Sequence, residues 1–123
     1  KALRPRSREE LAMLEEYPGI FAILLDAWDP ALRGGTGREA DWDLAAEAAE
    51  RARVILAGGL GPANVGQAIR KVRPFGVDTA SGVEAATGVK DHGLMAEFAL
   101  RAREAAMTAA LEKEEGDGAH ARA

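Results

Sequence analysis

Asp26 closes an unbroken apolar run, Ile20-Phe21-Ala22-Ile23-Leu24-Leu25, and is the first residue of the chain placed for proton chemistry. A carboxyl group at the mouth of an apolar strand suits general acid or base work, its pKa raised by partly apolar surroundings. It equally suits capping of the turn that follows. Two later turns suit an anion. Val54-Ile55-Leu56-Ala57 runs into Gly58-Gly59 and then Leu60-Gly61-Pro62-Ala63-Asn64-Val65, a buried strand handing over to a helix. Glycines let the backbone approach a ligand closely, and the orphan N–H groups of a helix start favour negative charge. Ser81-Gly82-Val83-Glu84 is a second turn of the same kind, with the Ser81 hydroxyl as an additional donor. Together Gly58, Gly59, Ser81 and Gly82 could form two sides of a phosphate cradle; the alternative is two ordinary strand-to-helix turns.

Three further features are weaker. Gly34-Gly35-Thr36-Gly37 could wrap a substrate or form a mobile lid, although glycine clusters are commonly just turns. Asp78 could hydrogen-bond a sugar hydroxyl or an amine, or be a buried structural carboxylate paired with a basic residue. Glu84 and Asp91 read as helix-start residues favoured by the dipole, His92 as exposed, and Trp28 and Trp42 as packing residues.

The elements that must position these groups follow from periodicity and punctuation. Ser7-Arg8-Glu9-Glu10 has capping-box spacing and opens a short helix with Leu11, Leu14 and Tyr17 on one stripe, stopped by Pro18-Gly19. The run 20–25 is a strand of the kind buried on both faces in parallel sheets. Residues 27–40 are loop. Asp41 caps a helix from Trp42 to about Arg51 with Leu44, Ala45, Ala48 and Ala52 inward, and Val54–Ala57 is the next strand. Gly61 and Pro62 start a helix carrying Val65, Ala68, Ile69 and Val72, proline being harmless at the first helical position. Phe75–Thr79 is a short strand that contains Asp78. A last helix after Lys90 or Asp91 has Leu94, Met95, Phe98 and Ala102 on one face and continues to about Leu111. Residues 112–123 read as a charged, disordered tail.

Alternating helices and buried-type strands predict right-handed βαβ units and a parallel sheet, an α/β fold. Three strands alone would leave edges unpaired and one face uncovered. The chain therefore reads as part of a closed (β/α)8 barrel, which needs roughly 200–250 residues, against the 123 present. Composition narrows the function classes. The net charge of -4 and a pI near 5.2 argue against nucleic acid and anionic membranes as partners. No apolar stretch approaches a membrane span and no signal peptide is visible. With no cysteine and only His92 and His120, neither thiol chemistry nor a metal site is expected. A cytoplasmic location is the default expectation. The chain opens on Lys1 without a methionine, as expected of a processed or excised segment.

Four ordered segments carry a resemblance to a known family. They are Leu24-Leu25-Asp26; Gly34-Gly35-Thr36-Gly37 with Asp41-Trp42; Leu56-Ala57-Gly58-Gly59-Leu60 with Pro62 and Asn64-Val65; and Arg73-Pro74-Phe75-Gly76-Val77-Asp78 with Ser81-Gly82-Val83-Glu84 and Gly88-Val89-Lys90-Asp91. On these the chain resembles phosphoribosylanthranilate isomerase, a (β/α)8 barrel enzyme of tryptophan biosynthesis. It departs in having Ala40 where phenylalanine is usual and Gly61 where asparagine is common. The resemblance implies the C-terminal half of that barrel, from the end of strand five through strands six, seven and eight. It implies a cofactor-free Amadori rearrangement of the phosphosugar N-(5-phosphoribosyl)anthranilate to 1-(2-carboxyphenylamino)-1-deoxyribulose 5-phosphate. An acid protonates the ribose ring oxygen to open the ring to a Schiff base, and a base then removes the C2′ proton. In the resemblance Asp26 matches the acid, Gly58, Gly59, Ser81 and Gly82 the phosphate loops, and Asp78 a substrate-contacting aspartate.

The family's base, a cysteine ending the first strand, and the arginine that holds the anthranilate carboxylate near the second strand match nothing in this chain. The resemblance thus implies an isolated chain that is inactive and aggregation-prone, with an N-terminal half-barrel as its missing partner. Two other readings stay open from the sequence: a phosphosugar-binding half-barrel without chemistry, and a related histidine-pathway phosphosugar isomerase that uses two aspartates.

Overall fold

The computed structural model describes residues 1–27 and 41–121, with 117–121 as helical backbone. Four strands form one parallel sheet in sequential order: β1 (Ala2–Leu3), β2 (Ile23–Asp26), β3 (Val54–Ala57) and β4 (Gly76–Val77). A 3-10 helix, Glu9–Glu16, connects β1 to β2; α1 (Trp42–Arg51) precedes β3, and α2 (Val65–Val72) connects β3 to β4. A short 3-10 turn, Ser81–Val83, then leads into an antiparallel hairpin of β5 (Glu84–Ala86) and β6 (Val89–Lys90), and α3 (His92–Ala121) ends the chain.

Period-two alternation explains the sheet's two faces. Ile23, Leu25, Val54 and Leu56 are buried against Leu11, Leu14, Ala45, Ala48, Ala68 and Val72 from the helices. Leu24, Asp26 and Ile55 alternate to the opposite face and are half-buried. The register lines up Ala2, Leu24, Ile55 and Gly76 in one row across the four strands of that second face. The helices therefore cover one face of the sheet, and the other is open among the described residues.

The local signals act as written in most places. Asp41 caps α1, its Oδ1 accepting from the Leu44 N–H at 3.0 Å. Ser7 Oγ accepts from the Glu10 N–H at 3.3 Å, while the Glu10 carboxylate reaches back to the Arg6 N–H at 2.6 Å, a capping box offset by one residue. Trp42 is buried in the core, and α2 buries Val65, Ala68, Ile69 and Val72, the four residues expected. It stops at Arg73, whose left-handed backbone (φ 52°) precedes Pro74.

Several boundaries and assignments differ. The strand expected over 20–25 begins only at Ile23; Ile20 and Phe21 lie outside it and exposed, Phe21 packed edge-on against Phe75 with ring centroids 5.3 Å apart. Regular α2 begins at Val65 rather than at Pro62, after a turn in which the Gly61 carbonyl accepts from both the Asn64 and Val65 N–H groups. The last parallel strand is only Gly76–Val77, so Asp78 lies just past it rather than within it. Glu84 does not start a helix: it begins the hairpin, turned by Gly88 at φ 79°, and its carboxylate pairs with Lys90 Nζ at 3.2 Å. Asp91, by contrast, caps α3 as expected, accepting from the Leu94 N–H at 3.0 Å. Finally α3 runs past Leu111 to Ala121. Glu112 to Glu115 are good helix formers, and Glu112 is held by Arg73 at 3.2 Å. The face of α3 that packs uses Phe98, Ala102 and Ala105 against Val65 and Ile69, and Met95 is exposed.

Candidate active site

All four parallel strands point the same way, so their C-terminal ends gather the candidate residues at one edge of the sheet. Asp26 is the last residue of β2 and faces the open side with Leu24. In the β2–β3 register it stands opposite Ala57, and one step beyond the β3–β4 register Asp78 stands on the other flank of Ala57. Strands spaced by ~4.8 Å put the two aspartate backbones roughly 10 Å apart. Ala57, the residue between them, is small and buried. Asp78 is exposed and its N–H donates to the Leu56 carbonyl at 2.8 Å, which sets aside its reading as a buried structural carboxylate.

Arg4 also enters this edge, and sequence reasoning did not single it out. Its Nη2 donates to Asp26 Oδ2 at 2.6 Å, an ion pair in which Asp26 keeps about a third of its side-chain surface exposed. The apolar setting expected for Asp26 thus holds a guanidinium as well. Arg4 escapes notice because β1 has only two residues, too few to show any periodicity, yet its pairing (Leu3 with Leu25) brings the next residue alongside Asp26.

Gly58 and Gly59 follow β3 directly with φ of 99° and 67°, a left-handed path open to glycine and strained for other residues. Neither donates a backbone hydrogen bond among the described residues. The loop is braced from below by Asn64, whose Oδ1 accepts from the Gly61 N–H at 2.8 Å and whose Nδ2 donates to the Gly59 carbonyl at 2.9 Å. Leu60, buried, anchors the middle of it.

The second turn is locked to the first. Thr79 Oγ1 donates to the Leu60 carbonyl at 2.6 Å. Gly82 packs so tightly on the same carbonyl that a methyl group there would collide with it, and would also lie 2.8 Å from Thr79 Oγ1. Gly61 in turn sits against Gly82, its missing methyl 3.3 Å from the Gly82 carbonyl oxygen. Gly58, Gly59, Ser81 and Gly82 are thereby brought to one place, with Ser81 exposed. Thr79 and Asn64 hold that arrangement; a threonine before a Ser-Gly turn carries no distinguishing signal, while Asn64 three residues past Gly61 has the spacing of a side chain that closes a turn.

Gly34, Gly35, Thr36 and Gly37, the expected substrate loop, and Trp28 lie outside the described residues. A groove of about 460 Å³ between α2 and α3, lined by Gly66, Arg70, Arg101 and Glu104 among others, is on the helix side, away from these candidates. No described helix is long and apolar enough to cross a membrane.

Comparison with known proteins gives a consistent answer. Residues 1–101 match the profile of the family described as N-(5′-phosphoribosyl)anthranilate (PRA) isomerase. The N-(5′-phosphoribosyl)anthranilate isomerase of Pelobacter propionicus is 52% identical over 104 residues, covering 85% of this chain and 49% of the relative. The crystal structure of phosphoribosyl anthranilate isomerase from Thermotoga maritima aligns with a TM-score of 0.70 at 41% identity, covering 85% of this chain and 50% of that one. A phosphoribosyl anthranilate isomerase in complex with reduced 1-(o-carboxyphenylamino)-1-deoxyribulose 5-phosphate aligns with a TM-score of 0.67 at 37% identity, over 85% of this chain and 47% of that one. The chain spans about half the length of the relatives it matches.

Proposed function

This chain belongs to the phosphoribosylanthranilate isomerase family, and we propose that it is the C-terminal half of such a barrel, carrying the acid and the phosphate grip of the isomerase. The observation that carries the reading is the interlock of the two glycine turns beside Asp26 at one end of the sheet. Phosphate would be held by backbone N–H groups of Gly58 and Gly59 on one side and by Ser81 and Gly82 on the other, a grip suited to the phosphosugar of the complex described above. Asp78, exposed across Ala57 from Asp26, is placed to contact the sugar or the amine.

In this reading the proton of the Asp26 carboxyl passes to the ribose ring oxygen. The bond from that oxygen to the anomeric carbon breaks with its electron pair going to oxygen, and the anilino nitrogen forms the Schiff base. Removal of the C2′ proton then gives the enamine and, after tautomerisation, the ketose. That second step calls for a base, and the sequence has no cysteine to match the family's. We assign the base and the hold on the anthranilate carboxylate to an N-terminal half-barrel. The open sheet face with Leu24 and Ile55, and the free outer edges of β1 and β4 among the described residues, fit strands supplied by such a half.

The test is complementation. The chain is assayed for turnover of phosphoribosylanthranilate alone and joined behind the N-terminal half of the Pelobacter propionicus relative. Turnover is expected only in the joined form, and Asp26→Asn should lower it by roughly 10²–10⁴-fold, the worth of a positioned acid. Turnover by the isolated chain would remove the need for the other half, and an unaffected Asp26→Asn variant would favour a binding module without chemistry.

A further inference from the structure

Arg4 lies beside Asp26 for reasons built into the first residues of the chain. Leu3 pairs with Leu25 and packs toward the helices, so the next residue, continuing the alternation, turns to the open face that Asp26 shares. Pro5 follows and is buried. A residue before proline is pushed toward extended backbone, which carries Arg4 on in line with β1. The result is a 2.6 Å contact from Arg4 Nη2 to Asp26 Oδ2 across 22 residues of sequence.

Stability does not account for this pair. The Arg4 side chain is half exposed, and ion pairs at that exposure contribute little, typically about 0–1 kcal/mol. Its geometry is more informative. The planar guanidinium is always charged and directional, so it fixes one oxygen of a carboxyl group that the proposed chemistry needs correctly aimed. We propose that Arg4 is a positioning residue of the isomerase: by holding Oδ2 it orients the Asp26 carboxyl group so that Oδ1 is aimed at the substrate. The inference rests on the reading of Asp26 as the acid. A group that acts in this way changes the chemical step more than substrate binding.

The experiment uses the joined protein of the complementation test, with folding of every variant checked by circular dichroism and thermal melt. Arg4→Ala should lower kcat by about tenfold while KM changes less than about twofold. Arg4→Lys, which keeps the charge and loses the planar fork, should recover part of that loss. In an Asp26→Asn background the same Arg4→Ala change should cost less than about twofold, because two residues acting through one group are not additive. Equal losses in both backgrounds, or a raised KM with kcat intact, would overturn the proposal and make Arg4 a substrate contact or a structural residue. If Arg4→Ala folds and leaves kcat unchanged while Asp26→Asn is inactive, the proposal fails and the acid assignment stands. If Asp26→Asn is fully active, the acid assignment fails and takes this inference with it.

Discussion

Thr79 and Leu60 join the two glycine turns by a single hydrogen bond, hydroxyl to carbonyl at 2.6 Å across nineteen residues. Around it Gly61 packs close to the Gly82 backbone, so the two turns are joined by packing as well as by a hydrogen bond.

Gly82→Ala should therefore be among the costliest single-methyl additions in the chain. The added carbon runs into the Leu60 carbonyl, a backbone atom that cannot step aside as a flexible side chain could. Overpacking of this sort costs about 1–3 kcal/mol, read as a lowered urea midpoint with unchanged slope. Gly61→Ala, whose methyl meets the Gly82 carbonyl oxygen at 3.3 Å, should cost visibly less. Equal effects would mean that the turns yield independently.

Asp91 offers a cleaner measure of one contact. Its side chain satisfies the Leu94 N–H at the start of α3, and truncating such a cap costs about 1 kcal/mol. Asp91→Ala should lower the unfolding free energy by that amount and Asp91→Asn, which keeps the acceptor, by only a fraction of it. Chemical denaturation of the two variants side by side decides the matter.

At the opposite end of the strands Arg53 stacks on two rings, its guanidinium carbon 4.9 Å from the Phe21 centroid and 5.6 Å from that of Phe75. Exposed cation–π contacts contribute about 0.5–1 kcal/mol each. Arg53→Ala should destabilise by that order, and the loss should shrink when Phe75 is already leucine. A double-mutant cycle with no coupling between Arg53 and Phe75 would show that the three side chains merely share a surface.

The parts of the fold legible in sequence are those in which local chemistry and tertiary packing agree. Val54–Ala57 is a strand within the bounds that its apolar run and the two following glycines set, and Asp41 caps Trp42–Arg51 because its acceptor has no better use. Where a pairing partner is needed to define an element, the sequence was silent. Ala2–Leu3 becomes a strand only because Leu24 and Leu25 lie beside it. The hairpin of Glu84–Ala86 and Val89–Lys90 was hidden by its dipeptide turn, Thr87-Gly88, and by Glu84, an acidic residue that suits a helix start as well as an ion pair with Lys90. Likewise the site's glycines and aspartates were readable as residue types, whereas Arg4 and Thr79 enter it only through register and loop contact.

The row Ala2, Leu24, Ile55, Gly76 on the open face has a taper: two bulky side chains in the middle, almost nothing at either end. At Gly76 the nearest side-chain atom is Ile55 Cγ1, 3.6 Å from where a methyl would stand. In the proposed barrel a strand would pair at each end, and close packing would require it to fill the volume that Ala2 and Gly76 leave. Neighbours that present large aliphatic side chains at this level will fit both margins, and small ones will leave a hole. On that reading the sizes of these four residues decide which neighbouring strands the sheet accepts.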